Sequence, residues 1–157
     1  LKKAIEINPK HVQALNYLGY TLIEMNDDLD EAEKLIRQAY KLKPTDPYIT
    51  DSLGWVLFKK GEFKESVKML EAAQKLKPDE AIIAEHLADA YMRYSLLDRA
   101  RQMYIKAVSL ETDEANIVKI RKKIANIDTL THPVQVAPGQ NPVAQERKSA
   151  SEEPEPQ

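Results

Sequence analysis

The chain has 157 residues, a formal net charge of −2 and no cysteine. Near-neutral charge gives no long-range field for nucleic acid or an anionic membrane, and the missing cysteine excludes disulfides and thiol chemistry while fitting a reducing cytosol and a periplasm alike. A hydrophobic content of 43% is enough for one ordinary domain, and no stretch resembles a signal peptide or a membrane-spanning run.

Leu1 stands where a methionine would open a nascent chain, so the segment reads as processed or as cut from something longer. Residues 1–9, Leu-Lys-Lys-Ala-Ile-Glu-Ile-Asn-Pro, match the end of a helix found again downstream: Ala4 precedes Ala39 by 35 residues, as Pro9 precedes Pro44. So short a helix does not persist alone, and it is expected to be the remnant of an upstream unit. A first full unit spans about 12–44, with helices near Val12–Met25 and Leu29–Leu42. Leu35, Ile36, Ala39 and Leu42 form an inward stripe, and Glu33, Lys34, Arg37 and Lys41 point outward.

A second unit spans about 47–78. Asp46 before Pro47 is a strong helix start, and Gly61 supplies the positive φ that ends that helix. Lys64, Lys68, Glu71 and Lys75 form the outer stripe of its second helix, with Lys59, Lys60 and Lys77 nearby; this reads as a solvated face, not a nucleic-acid patch. A third unit spans about 81–112, with its second helix near Leu97–Leu110. One further helix, 115–127, carries Ile117, Ile120, Ile124 and Ile127 on one side and suits a solubilising cap. From Asp128 to Gln157 the chain holds five prolines and little to bury, so it is expected to be a disordered tail, a linker or the carrier of a short linear motif.

The units repeat. Leu18-Gly19, Leu53-Gly54 and Leu87-Ala88 line up, as do Leu22, Leu57 and Tyr91; Ala32, Ser66 and Ala100; and Ala39, Ala73 and Ala107. Pro44 and Pro78 close the first two units, with Thr112 at the third such place. The step from Leu18 to Leu53 is 35 residues and from Leu53 to Leu87 is 34, with the extra residue in the turn Asn26-Asp27-Asp28.

Over residues 1 to about 127 this pattern resembles the tetratricopeptide repeat (TPR) family. The resemblance implies an all-α fold, a right-handed solenoid of helical hairpins with a C-terminal capping helix and a disordered tail. The phrases Leu18-Gly-Tyr-Thr-Leu, Asp51-Ser-Leu-Gly-Trp55 and Glu85-His-Leu-Ala-Asp89 resemble bacterial, often envelope-associated, members. The family's role implies a non-catalytic scaffold that binds a protein or peptide.

At 100° per residue, Thr50, Leu53, Gly54 and Leu57 face one side of their helix, and Tyr48, Asp51, Trp55 and Phe58 face the other. Either the next repeat covers that second face or a ligand does. By the resemblance these are concave-groove positions, joined by Gln13, Asn16, Tyr20 and Ile23 in the first unit, Lys59 in the second, and Ile82, Glu85, Asp89, Met92 and Arg93 in the third. The expected groove has aromatic anchors and an acidic rim, suited to an apolar peptide or helix flanked by Lys or Arg. It does not suit the family's carboxylate clamp, because only Asn16 stands at a suitable place and Asp51, Glu85 and Asp89 would repel a carboxylate. A homodimer formed through the groove or the N-terminal helix is the competing expectation.

Catalysis finds no support in the pattern. His11, His86 and His132 are scattered, no metal-ligand spacing occurs, and Gly19, Gly54, Gly61 and Gly139 form no phosphate loop. His86 is expected to be a packing or surface residue. No cofactor, metal or nucleic-acid partner is implied, nor any insertion into a membrane.

Overall fold

The computed structural model describes residues 11–132. Within them lie α1 (Val12–Glu24), α2 (Leu29–Leu42), α3 (Pro47–Lys59), α4 (Phe63–Leu76), α5 (Ala81–Arg93), α6 (Leu97–Leu110) and α7 (Glu114–Thr131). All are helices, paired as hairpins α1–α2, α3–α4 and α5–α6. The expected remnant at 1–9 and most of the expected tail lie outside the described residues.

Local chemistry sets several of these helix ends. Asp46 accepts hydrogen bonds from the Tyr48 and Ile49 amides while Pro47 opens α3, as the sequence signal anticipated. The first, second and third hairpin turns each contain one left-handed residue: Asn26 (φ 49°), Gly61 (φ 82°) and Ser95 (φ 62°). The extra residue of the first turn lets Asp28 cap α2, its carboxylate accepting from the Glu31 amide at 3.0 Å.

Small residues let the two helices of a hairpin close. A methyl group added at Gly54 would lie 2.5 Å from Leu70 Cγ, and one at Gly19 would lie 2.6 Å from Ile36 Cγ1. Ala32, Ala39, Ala73, Ala100 and Ala107 are fully buried at the matching places. Ser66 takes one such position without penalty, because its buried hydroxyl donates to the Gly54 carbonyl at 2.8 Å.

The first helices of successive units, α1, α3 and α5, touch one another, whereas the second helices reach the next unit mainly through its first helix. The inner layer is therefore the tighter one, and its outer surface is concave. At the centre of that layer α3 is buried without interruption from Ile49 to Leu57.

Helix α7 takes the place of a fourth inner helix. Steps of 34 residues lead from Ile49 through Ile83 to Ile117, keeping an apolar side toward the preceding unit. The same steps turn Leu53 and Leu87 into Arg121, and Gly54 and Ala88 into Lys122, both exposed. The face that would receive another outer helix is charged, so the array ends there. The helix runs to Thr131, beyond the Ile127 limit expected from the isoleucine stripe. Asp128 accepts from Arg101 Nε at 2.7 Å and pins the added turn to α6.

Exchanging glycine and an L-residue at the turns provides a stability test. Gly61→Ala is expected to destabilise the chain and Ser95→Gly to stabilise it, each by roughly 1 kcal/mol in urea unfolding. Shifts in the same direction would contradict the left-handed assignment.

Candidate functional site

The concave face divides into three zones along the inner layer. In the first, α1, α3 and the start of α5 enclose an open cavity of about 650 Å³. Asn16, Tyr17 and Tyr20 line it from α1, Tyr48, Asp51 and Ser52 from α3, and Ile82 from α5. Tyr17 is 62% exposed, Tyr48 48% and Ile82 39%, so large apolar surface remains uncovered here. The Tyr48 hydroxyl donates to Glu80 at 2.8 Å. Burial, with the Glu24 and Asp51 carboxylates close by, pushes the Tyr20 phenol up to about 12. Asn16 Oδ1 is buried and, among the described residues, has no hydrogen-bond donor.

The middle zone is a closed stack. Trp55 lies 4.7 Å from Phe58 and 4.0 Å from His86, with near-parallel planes. Its Nε1 donates to Glu24 at 3.4 Å, and the Lys59 ammonium sits 5.1 Å from its ring centre. At 8% exposure Trp55 packs between repeats. Phe58 is half-buried and Met92 packs against the core of the third unit. Ile23, expected in the groove, is fully buried.

His86 is a buried residue, 4% exposed, whose Nδ1 donates to Asp51, 3.0 Å from both carboxylate oxygens. Asp51 is thus a buried member of the cavity lining whose two oxygens both face the histidine of the neighbouring repeat. Covered by Trp55, this imidazole is closed to a substrate. Among the described residues no three His, Cys, Asp or Glu side chains gather to hold a metal ion.

In the third zone the expected acidic rim is already occupied. Lys123 of α7 places its ammonium 3.0 Å from Glu85 Oε1 and 2.8 Å from Asp89 Oδ1. Asn116 donates to Glu85 at 3.2 Å, and the Tyr104 hydroxyl donates to Asp89. Burial opposes the charge of Lys123, but the Asp89 and Glu85 carboxylates outweigh it and hold its pKa above the ordinary lysine value. Burial and then Asp89 push the Tyr104 phenol up as well. Glu85 and Asp89 therefore serve an internal ion cluster and not an open rim.

Asn16, Tyr20, Tyr48 and Asp51 are thus brought to one cavity, while Trp55, Phe58, Glu85, Asp89 and Met92 are taken up by contacts within the array. Sequence reasoning passed over Tyr17, Ser52 and Lys123. The signal for Lys123 was present, since it lies 34 residues after Asp89 and so at the next inner-helix position.

Paired helices with a tight inner layer and recurring Gly/Ala contacts define an α-solenoid. Two family models, each described as tetratricopeptide repeat, match residues 1–34 and 52–115. A TPR repeat-containing protein of Pseudomonas aeruginosa, PA4667, is 42% identical over 65 residues, which make up 41% of this chain and 11% of that protein. The chain belongs to the tetratricopeptide repeat family. It matches only a small part of the length of that curated relative. Among solved structures, MamA superposes with a TM-score of 0.71 at 21% identity, over 83% of this chain and 74% of the other. The first TPR domain of Spaghetti (RPAP3), bound to the HSP90 peptide SRMEEVD, gives 0.69 at 16% identity, over 76% and 92%. The Yersinia enterocolitica type III secretion translocator chaperone SycD gives 0.69 at 14%, over 76% and 85%. These structural likenesses concern the fold.

The groups whose pKa is raised on folding set the alkaline behaviour. The Tyr20 and Tyr91 phenols rise from 10.0 to about 12, Tyr91 through burial and its bond to Glu71. Their contribution is complete below pH 10 and is lost as pH climbs toward 12, where the unfolded chain has already released those protons. The urea midpoint is expected to stay level up to about pH 9 and fall above about pH 10. Tyr104→Phe should make that fall shallower, and an unchanged slope would contradict the assignment. Trp55→Ala is expected to cost about 3–5 kcal/mol of stability, as removal of a buried indole does.

Proposed function

We propose that the chain is a non-catalytic protein-interaction module and that its docking surface is the cavity zone between α1 and α3. The supporting observation is the cavity itself, about 650 Å³ of open, tyrosine-lined space on a concave face whose other zones are filled from within. A volume of this size accommodates anchoring side chains of an extended peptide or of a short helix. Tyr17, Tyr20, Tyr48 and Ile82 supply the apolar contacts, and aromatic residues at such places carry most of the binding energy.

Family membership supports the same role, and one structural neighbour was solved with a peptide bound. That peptide ends Glu-Glu-Val-Asp. The cavity here is lined by Asp46 and Asp51 and, among the described residues, by no Lys or Arg, so an acidic terminus would be repelled. An apolar segment bearing basic residues fits better.

Selection from a random peptide library, followed by calorimetry on the chosen sequences, tests this reading. Tyr20→Ala and Tyr48→Ala are each expected to weaken binding by about 2 kcal/mol, roughly thirtyfold. Selected peptides whose affinity neither change alters would contradict the proposed surface.

A further inference from the structure

Resting on that reading, the cavity can be assigned a more specific occupant. Elsewhere in the array, aromatic faces are covered by the chain's own cations: Lys59 lies 5.1 Å from the centre of Trp55, Arg93 4.7 Å from Phe63, Arg99 5.9 Å from Tyr91 and Lys123 5.4 Å from Tyr104. Among the described residues no such cation covers Tyr17, Tyr20 or Tyr48. The third zone displays the complete arrangement, with one ammonium between two carboxylates and over a tyrosine ring. Glu85, in that zone, stands at the inner-helix position of Asn16 and Asp51 in the first two units.

The first zone offers the same kind of acceptors, and among the described residues no Lys or Arg lines it. Asn16 Oδ1 is buried without a donor. Asp51 lines the cavity with both oxygens 3.0 Å from His86 Nδ1, and an ionised carboxylate, with about four lone-pair sites, accepts further donors. Tyr17, Tyr20 and Tyr48 line the same cavity. A single ammonium carries its three donors on one point, whereas a guanidinium spreads five over a plane that also stacks on aromatic faces.

We propose that the cavity between α1 and α3 receives the guanidinium of an arginine carried by a partner peptide, with Asn16 and Asp51 accepting its N–H groups and the tyrosines lying against its plane. The carboxylate and π-faces make the recognition electrostatic, so it weakens with added salt.

The probes are acetyl-Leu-Arg-Leu-amide and the same peptide with citrulline or lysine in the centre, each titrated into the isotope-labelled chain and followed by amide chemical shifts. Citrulline keeps the shape of arginine and removes its charge. The arginine peptide is expected to shift the amides of Asn16, Tyr20, Tyr48 and Asp51 and to bind at least roughly tenfold more tightly than either analogue. Asn16→Ala should weaken it by a similar factor. Should that variant fold poorly, Tyr17→Ala, at a mostly exposed side chain, should still reduce arginine binding. Equal binding of the citrulline or lysine peptide would overturn the guanidinium assignment. Library peptides that bind the cavity and lack arginine would overturn it too, while leaving the docking surface in place; shifts confined to other surfaces would remove both.

Discussion

A two-helix hairpin buries one flank of its inner helix and leaves the other without a partner. That constraint drives the whole architecture, because a free apolar flank of this size is satisfied only by a second hairpin. Its clearest consequence is α3, buried from Ile49 through Leu57 by neighbours on every side. The contact across that flank is made by rings: Phe58, Trp55 and His86 form one continuous stack from the second unit to the third. Asp51 then ties the stack to its own helix by taking the His86 proton donor. A polar pair is tolerated in this interior because each partner satisfies the other.

The same constraint must be stopped at the end of the row, and α7 stops it by two chemical changes. Isoleucines keep its inward side suited to the third unit, while Arg121 and Lys122 replace the leucine and glycine that would have invited another hairpin. Lys123 adds a second effect. By bridging Glu85 and Asp89 it fills the concave face at that end. The array is therefore asymmetric along its hollow, with internally satisfied groups in the third unit and open tyrosine surface in the first.

Much of the fold was legible in residue spacing. The Asp46-Pro47 start and the Gly61 stop follow from local chemistry that acts the same way in any context, and the bounds of α2 and α6 follow from the repeat spacing. The groove was less legible, for a physical reason. Helical periodicity places Tyr48, Asp51 and Trp55 on one face, but it carries no information on how far the adjacent unit covers that face. Tyr48 stayed open and Trp55 did not. Glu85 and Asp89 likewise read as free acids until a lysine from a helix outside their hairpin is placed between them. The end of α7 was set short because Asp128 has no apolar signal; its contribution is an ion pair with Arg101.

A hollow that is filled at one end and open at the other makes the proposed docking surface directional. Hydrogen–deuterium exchange of the chain with a saturating library-selected peptide measures this most directly. The account predicts slowed exchange in α1 and along the exposed side of α3, with the segment around Lys123 in α7 unchanged. Slowing confined to α7 and the third unit, or to the outer helices α2 and α4, would contradict it.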